Sequence, residues 1–534
     1  MTKDAPENCE NKSVAQELPA KIIKISDGSE PADFETAITA TGFGKFNVIL
    51  IAVILPAAFS HVFETATMSY VLPVAQCDLS LSLQDKGTLN AITFAGMISS
   101  GFIWGYICDT IGRKKVMIIG YLLDGFFTLM ASCSQNFAML LIAKFFGGFI
   151  INGPFSAATS YLSEFHSSKH RARVQLARGI IVSFGNIILP LLAWAVLPQN
   201  LNFTLFDYFG FHSWNVFLFI CSLTPLMSGV LMMFMPESPK FLMCSGRNEE
   251  ALRVFQLIYR INKGKPIDTF PIKTLVKENV TDKVSVASDK TEVKQQVKKA
   301  IIEGLYKVKP LFCRPHILRL VHACINTFCM LMGINTLKLW LPQLFQTIND
   351  YEFTHNGASS SMCEMLETTL SKPNKTLSTC VVNLDNSSVY IRSIIVGFTS
   401  ILIFSLAGTV INLLGKKKMI VAMAIIAGTC VTCIYFAQNS NTVLALSSIF
   451  LAFAGVCGNV LITITLELFP TNLRAMALSL HLMSSRTGTI VGNMVFPFLL
   501  RTGCAPPFLY IGSLAFGCAT LSLLYPNTDN KPLA

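Results

Sequence analysis

The chain has 534 residues, of which 52% are hydrophobic and 14% are charged, and its formal net charge is +11. Soluble domains carry about a quarter charged residues, so this composition excludes an ordinary soluble protein. The lysines and arginines lie in alternate polar segments and form no stripe with interleaved aromatic residues, which excludes a nucleic-acid partner.

Residues 1–45 form a polar segment of mixed charge, which we predict to be a cytosolic N-terminal tail. The segment contains no short apolar core followed by a small-residue cleavage site, which is the pattern of a secretory signal peptide. We therefore expect the first spanning helix to direct insertion into the membrane.

Twelve apolar segments follow, and a helix needs about 20 residues to cross a bilayer. They lie at about 46–73, 87–108, 116–132, 137–161, 176–197, 214–235, 317–345, 391–413, 418–437, 442–467, 475–500 and 506–525. The sequence thus predicts an all-α polytopic membrane protein with twelve transmembrane helices in two six-helix bundles. The bundles occupy 46–235 and 317–525, with a cytosolic loop at 236–316 and a cytosolic tail at 526–534.

The distribution of lysine and arginine predicts the orientation. Bases follow the second, fourth, sixth, eighth and tenth spans, and the short loops after the third, fifth and ninth spans contain none. Loops rich in lysine and arginine stay in the cytosol. Both termini are therefore expected in the cytosol of a multi-pass protein of the plasma membrane or a vesicle membrane.

The opposite face, called luminal below, carries sequence marks of its own. Asn202, Asn374 and Asn386 begin glycosylation sequons, although such sequons also arise by chance. Cys363 and Cys380 share the luminal loop at 346–390 and could form a disulfide there. The other cysteines lie mostly singly in apolar helices, and no Cys/His set has zinc spacing, so we expect no metal site.

The cytosolic loop divides into two parts. Residues 236–262 have the apolar spacing of an amphipathic helix, with charges on the opposite face. Residues 263–300 have no clear periodicity and are predicted to be a flexible linker. The basic charge of this linker could hold it to anionic membrane lipid, or the linker could simply be solvated.

The two halves repeat each other. The sequence "GYICDTIGRKK" at 105–115 realigns with "GTVINLLGKKK" at 408–418, an offset of 303 residues. The same offset relates Glu164 to Glu467 and Arg171 to Arg474. Two independent motifs with one offset indicate a duplicated six-helix unit whose two copies face each other across a central cavity.

The spacing Gly105-x-x-x-Asp109-x-x-Gly112-Arg113-Lys114 is similar to the signature of the loop between the second and third helices of the major facilitator superfamily. "PESPK" at 236–240 resembles the sugar-porter ending of the sixth helix. "FGKF", "YVLPVAQCDLSLS", "KGTLNAITFAGM", "YLSEF", "FHSWNVFLFICSL" and "LWLP" resemble the synaptic vesicle glycoprotein and organic-ion transporter-like group. The resemblance covers about 40 to 525 and implies two pseudo-symmetric bundles, alternating access and no cofactor.

The cytosolic charges are expected to form a gate, since partly buried ion pairs can close a cavity reversibly. Asp109 could bond a helix N-terminus and pair with Arg113, while Gly105 and Gly112 would allow close helix approach and a tight turn. The resemblance implies a second network in which Glu164 and Glu237 join Arg171 or Arg173, with Glu467 and Arg474 as its counterpart. Alternatively, these charges only set the topology.

Ionisable residues at membrane depth cost about 2.5–3.5 kcal/mol each on insertion scales, so they are functional candidates. We place Glu64, His61, Lys338, Trp340 and Arg486 in a cavity for solute or protons. For Glu64, the alternative is a structural ion pair between the two halves. Asp124 and Lys144 lie on adjacent helices and are expected to pair with each other or to bond backbone groups.

The favoured function is a secondary active transporter of a small organic solute, an organic ion or a sugar-like molecule, with proton coupling left open. The alternative is a transporter-like vesicle or surface protein that binds partners and transports little. No nucleophile–base pair or P-loop indicates an enzyme. The expected partners are the solute, protons and membrane lipid, and the chain is expected to be monomeric.

Overall fold

The computed structural model describes residues 31–199, 201–205, 209–276, 309–355, 360–370 and 387–526. The first half contains a short helix α1 (Phe34–Thr41) and six long helices, which are α2 (Lys45–Ala75), α3 (Leu83–Ile111), α4 (Arg113–Ser132), α5 (Phe137–Glu164), α6 (Ser168–Val196) and α7 (Ser213–Met233). A hairpin of β1 (Asn202–Leu205) and β2 (Phe209–His212) separates α6 from α7. Asn202 is exposed at the start of β1, and the Asn374 and Asn386 sequons lie outside the described residues.

Two shorter helices of the predicted cytosolic loop, α8 (Pro239–Cys244) and α9 (Asn248–Lys263), precede the second half. That half contains α10 (His316–Thr354), α11 (Met362–Leu370), α12 (Ser388–Leu414), α13 (Lys416–Cys433), α14 (Ser440–Leu468), α15 (Thr471–Thr502) and α16 (Ala505–Ser522). Each of the twelve predicted spans overlaps one helix, namely α2 to α7, α10, or α12 to α16. Over the described residues, ten helices are long and apolar enough to cross a membrane.

The predicted duplication is visible in where the helices begin. The starts of α4, α5 and α6 recur 303 residues later as the starts of α13, α14 and α15, at Arg113, Phe137, Ser168, Lys416, Ser440 and Thr471. The capping residues repeat as well. Asn136 accepts a hydrogen bond from the backbone N–H of Met139 at 2.9 Å, and Asn439 accepts one from Thr442 at 2.7 Å. An asparagine that satisfies an unpaired N–H in this way defines the start of a helix.

Glycines end the second helix of each half. Gly112 has a φ of 103° and Gly415 a φ of 77°, a region that disfavours any residue with a Cβ. A Cβ on Gly112 would also lie 2.7 Å from Oε2 of Glu237. Gly105 differs, because a Cβ there would meet no atom within 4 Å. The expected close helix approach at Gly105 is therefore not made in this conformation.

The N-terminal segment is more ordered than predicted, because part of the polar tail forms α1. Phe34, Ala37, Ile38 and Thr41 follow helical spacing and are buried, and α1 packs against α9. The α9 residue Asn262 joins this assembly to the first span. Its Nδ2 donates to the Gly42 carbonyl at 2.8 Å, and its Oδ1 accepts from the backbone N–H of Phe46 at 2.9 Å.

The two halves meet along three helix pairs, α2 with α10, α3 with α15, and α6 with α12. Several of these contacts lie at the luminal ends of the helices. Lys86 Nζ donates to Gln343 Oε1 at 2.9 Å, and a Cβ on Gly87 would lie 2.5 Å from the Asn493 carbonyl oxygen. Tyr390 of the second half packs into an apolar cluster of the first. The halves are therefore in tight contact on the luminal side.

The disulfide prediction for Cys363 is wrong. Cys363 of α11 is bonded to Cys504, which precedes α16, with their Cα atoms 5.2 Å apart. A cysteine sulfur forms one disulfide, so Cys363 cannot also join Cys380, which lies outside the described residues. The fold brings together two segments 141 residues apart, and spacing along the chain could not reveal this. Cys77 is also disulfide-bonded.

We expect Gly112→Ala to destabilise the protein by more than about 1–2 kcal/mol, the cost of a left-handed conformation, because its Cβ must also displace Glu237. Gly105→Ala is the matched control and should be neutral or stabilising, since its Cβ meets no atom and alanine favours a helix. Thermal unfolding of the purified protein in detergent measures both. Equal destabilisation by the two variants would contradict this account.

We expect mass spectrometry of the unreduced, protease-digested protein to find a peptide that links Cys363 to Cys504. Cys504→Ser should leave the Cys363 thiol open to alkylation and lower stability by about 2–4 kcal/mol, since the disulfide constrains the unfolded chain. Cys433→Ser, which removes a free thiol, is the control. A peptide that links Cys363 to Cys380 would refute the assignment.

Candidate functional site

Lys338 lies between the two halves of the molecule. It is near the middle of α10, yet it is exposed, and its Nζ donates to Asn186 Oδ1 on α6 at 2.8 Å. A lysine at membrane depth needs water or a polar partner. Asn186 supplies the polar partner. We call the space between the halves, beside Lys338, Asn186, Arg486, Asn152 and His61, the central cavity.

Arg486 makes the second polar contact across the central cavity. Its Nη2 donates to Asn152 Oδ1 on α5 at 2.7 Å, and its Nη1 donates to the Met97 carbonyl on α3 at 3.4 Å. Arg486 belongs to α15, so its guanidinium reaches from the second half into two helices of the first. The structure thus brings Lys338 and Arg486 into one cavity.

His61 faces the same space from α2. Its ring stacks on Phe155 of α5 with the centroids 3.8 Å apart and the planes 14° apart. Arg178 of α6 lies over the Phe155 ring, with Cζ 5.5 Å from the centroid. Sequence analysis did not single out Arg178, because it lies at the edge of a predicted span where a base is ordinary.

Exposed polar side chains also lie toward the predicted cytosolic ends of two repeat-related helices. Ser156 and Ser160 on α5 are exposed, and so are Asn459 and Thr463 at the repeat-related positions of α14. These residues lie in the cytosolic halves of their helices, whereas the contacts of Lys86 and Gly87 close the luminal side. The exposed polar side chains and the close contacts between the halves therefore lie at opposite ends of the bundles.

Glu64 does not line the central cavity. Its side chain is buried inside the first half, and Oε1 lies 2.7 Å from Nζ of Lys144 on α5. Lys144 also donates to the Glu64 carbonyl at 3.1 Å, and Thr128 donates to Oε2 at 3.4 Å. Lys144 therefore pairs with Glu64 and not with Asp124. Its bond to the Glu64 carbonyl is the backbone contact expected as the alternative. The pair also lies within one half rather than between the two.

Asp124 adds a second carboxyl group to this buried cluster. It is 1% exposed, and its Oδ1 has no hydrogen-bond partner among the described residues. The cluster of Glu64, Asp124 and Lys144 therefore combines two carboxyl groups with one ammonium. An unbalanced charge in a dry interior is costly, and here two carboxyl groups share one ammonium.

Trp340 is buried in the core of the second half and not in the central cavity, contrary to expectation. It is 1% exposed, and its ring lies 5.1 Å from that of Phe496 on α15. Trp340 is two residues after Lys338, which is about 200° around a helix. The two side chains therefore point in nearly opposite directions.

The cytosolic ion pairs follow the repeat. Arg113 Nε lies 3.4 Å from Glu164 Oε1, and Lys416 Nζ lies 2.5 Å from Glu467 Oε1 at the positions 303 residues later. Ser238 also donates to Glu164. Glu467 therefore pairs with Lys416 rather than with Arg474, the partner that the resemblance implied.

The Glu237 side chain lies beside the N-terminus of α4. Its Oε1 accepts a hydrogen bond from the backbone N–H of Lys114 at 3.0 Å. A carboxylate at this place balances the positive end of the helix dipole. This is the role expected of Asp109, whose side chain lies outside the described part of the chain.

Arg171 ties the N-terminal segment to the first half instead of joining Glu164. Its Nη2 donates to Glu35 Oε2 at 3.1 Å, and its Nε donates to the Ser163 carbonyl at 3.2 Å. Burial tends to raise the pKa of the Glu35 carboxyl, but hydrogen bonds from Ser168 and Arg171 outweigh burial and lower the pKa overall. The sequence could not reveal this contact, because Glu35 lies in the segment predicted to be a tail.

The buried cluster should respond unequally to removal of its two paired charges. Lys144→Gln leaves two carboxyl groups without a cation and should cost about 3–5 kcal/mol. Glu64→Gln should cost less, because Asp124 can still balance the lysine. Thermal unfolding in detergent measures the difference, with the exposed Arg247→Gln as a control that should leave the midpoint unchanged. A larger loss for Glu64→Gln would refute this account of the cluster.

Comparison with known proteins agrees with this architecture. The sequence model of the Major Facilitator Superfamily matches residues 54–373 and 381–534. Synaptic vesicle glycoprotein 2B of Rattus norvegicus is 24% identical over 627 residues, which covers 100% of this chain and 91% of the rat protein. Synaptic vesicle glycoprotein 2C of Mus musculus is 28% identical over 329 residues, which covers 60% of this chain and 45% of the mouse protein.

Solved structures share the fold. The inward open conformation of the xylose transporter XylE from E. coli superposes with a TM-score of 0.64 at 17% identity, covering 91% of this chain and 98% of XylE. Its partially occluded inward open conformation gives a TM-score of 0.61 at 16% identity, covering 90% and 99%. With the family match over most of the chain and twelve spanning helices in two repeated bundles, the protein belongs to the major facilitator superfamily as an integral, multi-pass membrane protein similar to the synaptic vesicle glycoproteins.

Proposed function

We propose that this protein is a secondary active transporter of a small organic solute, driven by protons and working by alternating access in a vesicle or plasma membrane. The observation that carries the proposal is Lys338. A charged side chain in the middle of a spanning helix is exposed in a cavity between two bundles that touch on the luminal side. A cavity between two such bundles is what an alternating-access transporter presents to its solute.

The contacts between the halves suit reversible opening. At the luminal end, Lys86 is held by the neutral amide oxygens of Gln76 and Gln343, at 2.7 Å and 2.9 Å. The Arg113–Glu164 and Lys416–Glu467 pairs each lie within one half. Each bundle can therefore keep its own ion pairs while the two bundles rock against each other.

Proton coupling is supported by the cluster of Glu64, Asp124 and Lys144. The one ammonium balances the charge of one carboxylate, so the other carboxyl group is neutral only when it binds a proton. Glu64 lies on α2 and Lys144 on α5, and both helices also line the central cavity, through His61 and Phe155. A change in the solute site can therefore shift the packing around the cluster.

The alternative function is a transporter-like binding protein that moves little solute. The second-half motif favours this alternative, because Asn412 and Lys416 stand where the first half has Asp109 and Arg113. The Lys416–Glu467 pair weighs against this alternative, because the lysine makes the same contact in the second half that Arg113 makes in the first. Asn412 lies outside the part of the chain whose side chains the structure describes.

Purified protein in liposomes should accumulate at least one member of a panel of organic anions, organic cations and sugars when a pH gradient is imposed. The panel includes xylose because D-xylose is the cargo named for the structural relatives. Glu64→Gln should remove the dependence on the gradient, since it removes a proton-binding group while Asp124 can still balance Lys144. A protonophore added to the wild-type protein should have the same effect.

The double variant Glu64→Gln/Lys144→Gln serves as the matched control for charge balance. It should fold and retain solute exchange between the two sides of the membrane without responding to the gradient. If no solute in the panel responds to the gradient in the wild-type protein, coupled transport is wrong and the binding function stands.

A further inference from the structure

The central cavity collects positive charge from three helices. Arg486, Arg178 and Lys338 all lie close enough to His61 to act on it electrostatically. They belong to α15, α6 and α10, so both halves contribute. No two of them are neighbours in the sequence, and the fold alone brings them together.

Each of the three cations is bonded to neutral oxygens. Lys338 donates to Asn186 Oδ1 at 2.8 Å, and Arg486 donates to Asn152 Oδ1 at 2.7 Å and to a carbonyl. Arg178 Nε donates to Gln175 Oε1 at 3.0 Å. Amide oxygens orient a cation but carry no charge to cancel it.

The carboxyl groups that could neutralise this charge lie elsewhere. Away from the helix ends, the described spanning helices carry two of them, Glu64 and Asp124. Both are buried inside the first half, and Glu64 is paired with Lys144. Among the described residues, the central cavity is therefore left with an excess of positive charge.

We propose that the central cavity binds a small organic anion, which Lys338 and Arg486 hold by its oxyanion group while Phe155 and His61 contact its apolar body. As an assignment of the transported solute, this inference rests on the proposed transport function. As an assignment of a binding site, it rests on the cavity alone.

The residues beside the central cavity offer both charged and flat apolar contacts, which such a ligand needs. A guanidinium can bond a carboxylate through two parallel N–H groups, and an ammonium adds a point charge. The stacked rings of His61 and Phe155 offer a flat surface to an aromatic or aliphatic body, and Arg178 stands beside them. In the absence of ligand, Asn186 and Asn152 hold the two cations in place.

The ligand would also join the two halves. Lys338 and Arg486 come from the second half, while His61, Phe155 and Arg178 come from the first. An anion between them attracts charge on both sides and draws the bundles together around itself. A cation would be repelled by the same groups, and a neutral sugar would gain nothing from the charge.

The test is equilibrium binding to the full-length protein in detergent at pH 7, with radiolabelled phthalate as the probe. Benzoate should compete with it, and tetraethylammonium, xylose and inorganic phosphate should not. Lys338→Gln and Arg486→Gln should each weaken phthalate binding at least tenfold, and Lys338→Arg should restore it to within about threefold of the wild-type value. Lys418→Gln, which changes an exposed lysine at the start of α13, should leave it within about twofold.

Several results would overturn the inference. The first is that the folded wild-type protein binds neither phthalate nor benzoate. The second is that Lys338→Gln and Arg486→Gln bind phthalate as tightly as the wild type, and the third is that phosphate competes as strongly as benzoate. Gradient-driven uptake of xylose or tetraethylammonium without anion binding would also overturn it and leave the transport proposal standing. Anion binding without any gradient-driven uptake would do the reverse, since the site would stand and the transport proposal would fall.

Discussion

A charge inside a spanning bundle must be neutralised or must reach water, and the Glu64–Lys144 pair shows how the first half meets this requirement. Glu64 is 3% exposed and Lys144 is 1% exposed. The ion pair joins α2 to α5, and Thr128 of α4 donates to the Glu64 carboxylate. Removal of one partner from such a pair leaves an uncompensated charge that costs several kcal/mol. The pair therefore fixes the packing of three helices and removes Glu64 from the central cavity.

The consequence extends to the cavity. Because Lys144 holds Glu64 within the first half, the cations that face the water have amides and carbonyls as partners. Lys338 and Arg486 reach across from the second half to Asn186 and Asn152 of the first. The same electrostatic requirement that buries one ion pair thus leaves the space between the bundles positive, and it makes the contacts between the bundles polar and reversible.

The two halves match in where their helices begin and end, but their buried polar residues differ. Helix starts, the Asn136 and Asn439 caps and the Gly112 and Gly415 turns recur with one offset, since each depends on a local signal that duplication copies. The interiors have diverged. Lys144 of the first half corresponds to Ser447 of the second, a buried residue that donates to the Val443 carbonyl. The ammonium of the acid–base cluster therefore has no counterpart at the repeat-related position of the second half.

Prediction from sequence succeeded where a property is local. An apolar run of about 20 residues specifies a span whatever surrounds it, and the mid-membrane charges stand out in such runs. It failed where the outcome depends on a distant partner. Cys363 joins Cys504 instead of Cys380, Arg171 bonds Glu35 instead of Glu164, and Trp340 packs on Phe496 instead of lining the cavity.

By itself, the sequence determined the apolar spans, the duplication and the identity of the ionisable residues at membrane depth, because composition and repetition along the chain decide these features. Only the tertiary structure decided which of those residues are paired and which face water. Glu64 and Lys144 lie 80 residues apart, and Lys338 and Asn186 lie 152 apart. Whether a side chain meets an opposite charge, an amide or open solvent depends on how the helices rotate and pack, which no local pattern records.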